Sequence, residues 1–477
     1  MKQKETQPKP RLKILEKFPY QWLALFASSI AAFLGPLEGN MIVISLPTLA
    51  REFGVSASHI VWVMIAGTLV TLSLALPIAS MSDLIGRRRL FRFGFIIFSA
   101  GSILALLSSS LSTLIGARIV QGIGTGFFAA TRNALAVEAF NDKKRGLAMG
   151  VILSCVGLGA STAPYLGGWL LTNFGWKAIF LAEIPISIFG AVVSFLILTP
   201  ETIKKIDMSK FDILGSIIFF VFITASVFLG NRLPDFGITS PLVWFLVVLA
   251  LVSALLFIRT EIRNTNPIIN FGLFKNRTFL ITTTSLIFQM FSFAIGINIL
   301  PFFLENALGL SPAGAGAIFS VSAFALFIGS VPGGALFDRI GIKPIGITTL
   351  TIMTICFVML SNLSISSSLV SIFATLLIFG MFEGAFQSAT SAAQLASVPK
   401  GNISTAGALF VVGIMLPITL GLGIGGTVFS TRLEYHSINL GPGPLAVSAA
   451  YQEIALLGAF FAILSLVTYL FLKPEKQ

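Results

Sequence analysis

Ionisable side chains inside long apolar stretches are the chemically most informative residues of this chain. Glu38 lies about eight residues, or roughly 12 Å, from the end of its stretch, and Arg118 and Glu183 lie about six residues from the ends of theirs. A charge inside a membrane costs at least a few kcal/mol, so such a residue usually lines a polar cavity or forms a pair. Burial disfavours the charged form of a carboxyl and a nearby cation favours it, so movement of Arg118 relative to Glu38 would change the affinity for a proton. The predicted proton and substrate residues are Glu38, Arg118, Gln121, Glu183, Glu383 and Gln387.

The roles of two of these acids stay open at the level of sequence. Glu183 would be a second protonation site or would attract cationic substrates. A structural ion pair between Glu183 and Arg118 is an equal alternative. Glu383 stands alone in its apolar stretch, with Gln387 one turn further on. A lone carboxyl in lipid has few structural roles, so a functional role is favoured for Glu383.

The composition defines the environment of these residues. Of the 477 residues, 55% are hydrophobic and only 10% are charged, whereas soluble proteins average about 25% charged residues. Apolar runs of about 20 residues recur along the chain, each long enough to cross a bilayer core of about 30 Å. Because backbone polar groups must be satisfied internally in lipid, these runs are predicted to be helices. We predict an all-α integral membrane protein with fourteen spans, the first near residues 22–46 and the last near 453–472.

The distribution of basic residues predicts the orientation. Of the 31 Lys and Arg, 25 lie in alternate segments that include both termini, and four lie in the segments on the other side. By the positive-inside rule, both termini are cytosolic in a multi-pass protein of the cell membrane. The net charge of +12 is not gathered on one face, which argues against a nucleic-acid partner. Cys155 and Cys356 lie far apart inside spans, and the two histidines lie in short loops, so no disulfide, metal site or cofactor is expected.

A short charged loop occurs twice, each time after the second span of a hydrophobic array. The two copies are residues 82–89 and 337–343. Their acid, glycine and basic residues are Asp83, Gly86 and Arg87 in the first copy, and Asp338, Gly341 and Arg339 in the second. Duplicated halves are typical of secondary transporters.

The repeat divides the chain into five parts. Residues 1–18 are a cytosolic tail, 19–199 the N-terminal six-helix half, and 200–277 an inserted helix pair with cytosolic linkers. Residues 278–472 form the C-terminal six-helix half, and 473–477 a second cytosolic tail. The predicted fold is therefore two six-helix halves with two inserted central helices.

Charged residues at the cytosolic ends of the spans are predicted to form a gate. Asp83 ends the second span, and Arg132 and Glu138 end the fourth. Such a cluster would hold one conformation closed and be released in the other, although solvated anchors are the alternative. The predicted gate residues are Asp83, Gly86, Arg87, Arg132, Glu138, Asp338, Arg339 and Gly341.

The fifth span contains regularly spaced small residues and a proline. They are Gly150, Gly159, Pro164, Gly167 and Gly168. Glycines allow a neighbouring helix to approach closely, and proline removes a backbone hydrogen bond and bends the helix. Such a helix suits a protein that alternates between two packings.

These motifs together resemble the major facilitator superfamily, and specifically its fourteen-span drug:proton antiporter family. The fifth span is similar to the antiporter signature, with Ala163 where a glycine usually precedes the proline. Residues 118–124, Arg-Ile-Val-Gln-Gly-Ile-Gly, match the Arg-x-x-Gln-Gly-x-Gly element of the fourth span. The first charged loop departs from the family pattern, with Ala79 and Leu84 in place of a glycine and an arginine. Glu38 replaces the usual aspartate of the first span, and Glu183 an asparagine of the sixth.

The resemblance implies a transporter rather than an enzyme. It implies proton-coupled export of amphipathic, often cationic small molecules by alternating access, from a monomer embedded in the lipid bilayer. Export of a lipid or a dedicated metabolite on the same fold, and proton-coupled import, are the alternatives. No Walker sequence is present, which argues against direct coupling to ATP.

Overall fold

The computed structural model describes residues 17–55, 57–140, 144–198 and 211–472, without the side chains of residues 57, 58, 83, 312, 313 and 400. These residues form fourteen long helices and no strand. The first seven are α1 Tyr20–Phe53, α2 Trp62–Ile85, α3 Arg87–Leu106, α4 Leu111–Glu138, α5 Arg145–Phe174, α6 Lys177–Ile197 and α7 Ile213–Phe236. The second seven are α8 Pro241–Arg263, α9 Arg277–Asn306, α10 Pro312–Ile340, α11 Ile342–Leu360, α12 Leu369–Ala396, α13 Ile403–Leu440 and α14 Pro444–Leu470. Three short helical segments are Ala57–Ile60, Phe271–Lys275 and Lys400–Asn402.

The predicted all-helical membrane architecture is confirmed. Thirteen of the fourteen helices are long and apolar enough to cross a membrane, by length and composition. The remaining helix, α4, has 28 residues and is also long enough, but it carries the polar side chains of Arg118, Gln121 and Arg132. Helices α1 and α13 extend to 34 and 38 residues, well beyond the roughly 20 that a bilayer requires.

Helix α9 is not a continuous α-helix. A π-helical turn at Phe293–Ile297 interrupts it after Ser292. Single π turns inside α-helices are frequent at functional sites. The sequence of this segment did not indicate the interruption.

The helices pack as two groups that meet along two seams. Helices α1–α6 pack among themselves, as do α9–α14. Helix α5 packs against α10 and α12 in the first seam, and α13 packs against α2 and α4 in the second. Helix α7 packs against both α13 and α2, and α8 packs mainly against α7. The pair α7–α8 therefore lies beside the second seam.

The two groups are closed at one end. We call this end, where α1 begins and where the α2–α3 and α10–α11 turns lie, the basic end. An apolar cluster there contains buried residues of both groups, among them Ala136, Met149, Leu395 and Ile403. Towards the opposite end, Gly168 of α5 and Gly316 of α10 would leave an added Cβ without any heavy atom within 4 Å. The groups therefore touch at the basic end, and these two glycines have no close neighbour among the described residues towards the opposite end.

Candidate functional site

Helices α1 and α4 bring Glu38 and Arg118 into a buried ion pair. Arg118 Nε also donates to the carbonyl oxygen of Val63 on α2 at 3.1 Å, and Arg118 Nη1 donates to Gln121 Oε1 at 2.6 Å. A Cβ on Gly67 of α2 would lie only 2.8 Å from Arg118 Nη2, so glycine leaves the space that the guanidinium occupies. Three helices therefore fix the position of Arg118.

Gln121 extends this group to Glu183 of α6. Gln121 Nε2 donates to Glu183 Oε2 and to Ser102 Oγ of α3, both at 2.8 Å, and Ser102 Oγ donates to the same carboxyl oxygen at 3.2 Å. Glu183 is fully buried, and its Oε1 has no hydrogen-bond partner. Among the described residues Glu183 forms no direct ion pair with Arg118; Gln121 connects them. We call Glu38, Arg118, Gln121 and Glu183 the N-terminal network.

A second buried group of an acid and two amides lies in the other half, between α9, α11 and α12. Gln387 Nε2 donates to Glu383 Oε1 at 2.8 Å, and Gln289 Nε2 donates to Glu383 Oε2 at 2.9 Å and to Met353 Sδ at 3.3 Å. Glu383 is 1% exposed and has no basic partner within the described ranges. Gln289 Oε1 is buried without a partner. The structure thus places Glu383 and Gln387 in a group separate from the N-terminal network.

The small residues of α5 contact two different neighbours. Gly150 faces α10, where an added Cβ would lie 2.7 Å from a backbone oxygen. Gly159 and Gly167 face α1, whereas Gly168 has open space beside it. Pro164 lies inside the helix between these contacts. The glycines therefore bring α5 close both to its own half and to the opposite half.

The second charged loop connects the two halves at the basic end. Asp338, near the end of α10, accepts hydrogen bonds from the backbone N–H groups of Gly146 and Leu147 at 2.8 and 2.9 Å. These donors belong to the first turn of α5, where a helix has free N–H groups and a partial positive charge. Gly341 follows with φ of 76°, and Arg339 is exposed.

The first charged loop forms its own ion pair. Arg87, at the start of α3, pairs with Glu138, at the end of α4. Gly86 has φ of 103° in the turn before α3. The side chain of Asp83 lies outside the described residues.

The side chain of Arg132 lies elsewhere than in the predicted gate. Its guanidinium lies beside Gly35 of α1, and its Nε is buried without a hydrogen-bond partner. No ion pair to Arg132 occurs in the described ranges. The buried Nε and the contact with Gly35 place the side chain of Arg132 inside the helix bundle rather than at the loop.

The sequence-based reasoning missed two residues that complete these groups. Ser102 and Gln289 each donate a hydrogen bond to a buried acid. Neither residue is charged, so neither stood out in an apolar span. The π turn a few residues after Gln289 likewise left no signal.

Comparison with models of known protein families shows to which family this chain belongs. The model of the Major Facilitator Superfamily matches residues 28–260 and 281–477. The chain belongs to the Major Facilitator Superfamily. It is a multi-pass membrane transporter of small molecules rather than an enzyme.

Several relatives and one solved structure show this similarity in detail. The chain is 30% identical to the riboflavin transporter RibZ of Clostridioides difficile, over 87% of this chain and 90% of RibZ. It is 26% identical to the multidrug efflux pump LfrA of Mycolicibacterium smegmatis, over 91% of this chain and 86% of LfrA. The crystal structure of the human organic anion transporter MFSD10 (TETRAN) has the same fold, with a TM-score of 0.64 and 16% identity, and the match covers 93% of this chain and 100% of that one.

Proposed function

We propose that this protein is a proton-coupled antiporter of the fourteen-span drug:proton family that exports amphipathic, often cationic small molecules by alternating access. The observation that carries the proposal is the N-terminal network, in which one buried carboxyl group pairs with the guanidinium of Arg118 and a second is linked to it through Gln121. Relatives such as LfrA, named a multidrug efflux pump, support export.

The charge of the network explains how exchange would arise. With both carboxyl groups ionised, Glu38, Glu183 and Arg118 sum to one negative charge. One proton or one cationic substrate neutralises that charge, whereas both together would leave a positive charge inside the membrane, which is costly. Proton and substrate therefore compete, and competition at a site with alternating access is the requirement for antiport.

Hydrogen bonds within the N-terminal network would transmit the effect of protonation from one helix to the next. Protonation of Glu38 would weaken its ion pair with Arg118, whose remaining contacts are to α2 and to Gln121. Gln121 in turn donates to Glu183 on α6. A proton at either acid would therefore alter contacts among five helices of one half.

The proposed orientation places the basic end in the cytosol of a cell whose plasma membrane holds the protein as a monomer. The excess of Lys and Arg on that side supports this orientation. In the described conformation the substrate path would then be closed towards the cytosol. The hydrogen bonds of Asp338 to the first turn of α5 would stabilise this closure, and the Arg87–Glu138 pair would join the ends of α3 and α4 within the N-terminal half.

A dedicated metabolite transporter is the second candidate. The 30% identity to RibZ over nearly the whole of both chains favours a flat, neutral heteroaromatic substrate such as riboflavin. Neutral substrates would not compete with a proton by charge, so coupling would then depend on the protonation of Glu38 alone.

Everted membrane vesicles with an acidified lumen test both candidates. We expect a cationic dye to release protons from wild-type vesicles, and Glu38→Gln and Glu183→Gln each to reduce this release strongly. Glu52→Gln, an exposed acid at the far end of the same helix α1, is the matched control and should behave as wild type. Full pH-driven dye transport in both network variants would contradict the proposal. Proton release by riboflavin but by no cationic dye would favour the second candidate.

A further inference from the structure

Two buried acids lie outside the networks described above, at the basic end of the inserted pair α7–α8. Asp212 precedes the first residue of α7 and is 7% exposed, and Glu261 lies in the last turn of α8 and is 2% exposed. Transport as proposed above uses neither residue.

One oxygen of each carboxyl group has a partner and the other has none. Asp212 Oδ1 accepts from the backbone N–H of Gly215 at 2.8 Å, and Glu261 Oε2 accepts from the backbone N–H of Ile269 at 2.9 Å. Asp212 Oδ2 and Glu261 Oε1 are buried without a hydrogen-bond partner. A Cβ added to Gly215 would touch both of these oxygens. The two free oxygens therefore converge on one place.

No basic side chain neutralises this pair among the described residues. Arg259 and Arg263 of α8 line an open depression beside Asp212, but neither forms an ion pair with either acid. Apolar residues of α2, α7, α8, α13 and the linker after α8 pack into one hydrophobic cluster here. Each acid thus has the other as the titratable group that faces it.

We propose that Asp212 and Glu261 share one proton, and that this proton positions the α8–α9 linker, residues 264–276, so that the basic end stays closed. Two ionised carboxyl groups with facing oxygens repel each other, and among the described residues neither of the facing oxygens accepts a hydrogen bond that would offset the repulsion. One proton gives both free oxygens a hydrogen-bond partner. Glu261 is a positioning residue in this proposal, because it acts on the linker through the N–H of Ile269.

The linker connects both seams between the halves. Ile268 and Ile269 are buried in the cluster that contains residues of α2 and α13. Leu273 is buried in the cluster that closes the basic end, and Asn276 Nδ2 donates to the carbonyl oxygen of Ser397 at 2.9 Å. Displacement of Glu261 would therefore loosen contacts in both seams.

The direction of the pH dependence follows from whether the Asp212–Glu261 pair holds its proton. At low pH on the basic side the pair holds its proton and the linker stays in place. As the pH rises the proton leaves, the carboxylates repel, and the closed form becomes less stable. This step rests on the orientation proposed above, in which the basic end lies in the cytosol. The inserted pair α7–α8 would then make closure of the cytosolic end depend on cytosolic pH.

Thiol labelling tests whether the shared proton holds the linker in place, and it needs neither substrate nor a proton gradient. Its outcome is therefore separate from that of the transport assay. In full-length protein with Cys155 and Cys356 replaced by Ala, L273C reports release of the linker, because Leu273 is 6% exposed. N266C, at an exposed position of the same linker, reports the intrinsic effect of pH on a thiol. Everted vesicles are treated with a membrane-impermeant maleimide between about pH 6 and pH 9, and the ratio of the two rates is compared.

We expect the ratio of L273C to N266C labelling to rise with pH, by at most about tenfold per pH unit for one proton. Glu261→Gln should keep the ratio low at every pH, because its amide can donate to Asp212 and its oxygen can accept from Ile269. Asp212→Asn should do the same and guards against a folding defect in one variant. A ratio that is independent of pH in the parent, or a parent-like pH dependence in both amide variants, would overturn the proposal. A ratio that responds to Mg²⁺ and to its chelation rather than to pH would overturn it in favour of a metal site.

Discussion

Replacement of Asp338 should shift the protein away from the form closed at the basic end. The carboxyl group of Asp338 accepts two hydrogen bonds from the first turn of α5, and these bonds cross between the halves. A hydrogen bond to a charged group contributes about 1.5–3 kcal/mol, and the half-buried position of Asp338 favours the lower value. Asp338→Asn keeps one acceptor oxygen and should cost about 1.5 kcal/mol, or about tenfold in the closed-to-open ratio. Asp338→Ala loses both bonds and should cost about 3 kcal/mol, or about a hundredfold.

Spin labels at the ends of the two helices measure this ratio. Lys144 precedes α5 and Ile340 ends α10, and both are exposed, so cysteines at these positions report the separation of the halves. We expect the short-distance population to fall in the order wild type, Asp338→Asn, Asp338→Ala. Asp235→Asn, an exposed acid at the opposite end of the bundle, should leave the distribution unchanged. An unchanged distribution in Asp338→Ala would refute the argument that these two bonds hold the halves together.

Two further substitutions test the helix contacts and the second acid. Gly150→Ala would place a methyl group 2.7 Å from the carbonyl oxygen of Ser330, so it should disfavour the closed form and slow transport, whereas Gly168→Ala has open space and should transport at the wild-type rate. Equal initial rates for the two variants would show that the close approach of α5 and α10 is unimportant. Glu383→Gln keeps its amide partners but cannot ionise, so we expect fewer protons to move per substrate molecule, as measured by the ratio of proton to dye flux in vesicles. An unchanged ratio would exclude Glu383 from proton transfer.

The depth of the charged residues could be predicted from sequence, and their contacts could not. The rise of 1.5 Å per residue places Glu38, Arg118 and Glu183 at similar depth. Whether they face one another depends on the rotation of each helix about its axis, which packing determines. In the structure Gly67 leaves space for Arg118, and Gln121 occupies the position between Arg118 and Glu183.

The contacts of several residues could not be inferred from the sequence. Arg132 was assigned to the gate because it lies near the end of α4, but residues more than one turn from a helix end point in the direction that the helix face dictates. Gln289 was missed because neutral amides do not interrupt an apolar pattern. Asp212 and Glu261 were not singled out from the sequence, since nothing in their local sequence shows that the linker after α8 folds back over them.

The polarity of α4 has a consequence for the biogenesis of the protein. An arginine at the centre of a helix adds about 2.5–3.5 kcal/mol to the free energy of its insertion by the translocon. Helix α4 carries two arginines, each about two turns from one of its ends. The first partners of Arg118, which are Glu38 on α1 and the carbonyl of Val63 on α2, are synthesised before it. Helix α4 is therefore expected to leave the translocon together with the preceding helices, and Glu183 joins the assembly only when α6 follows.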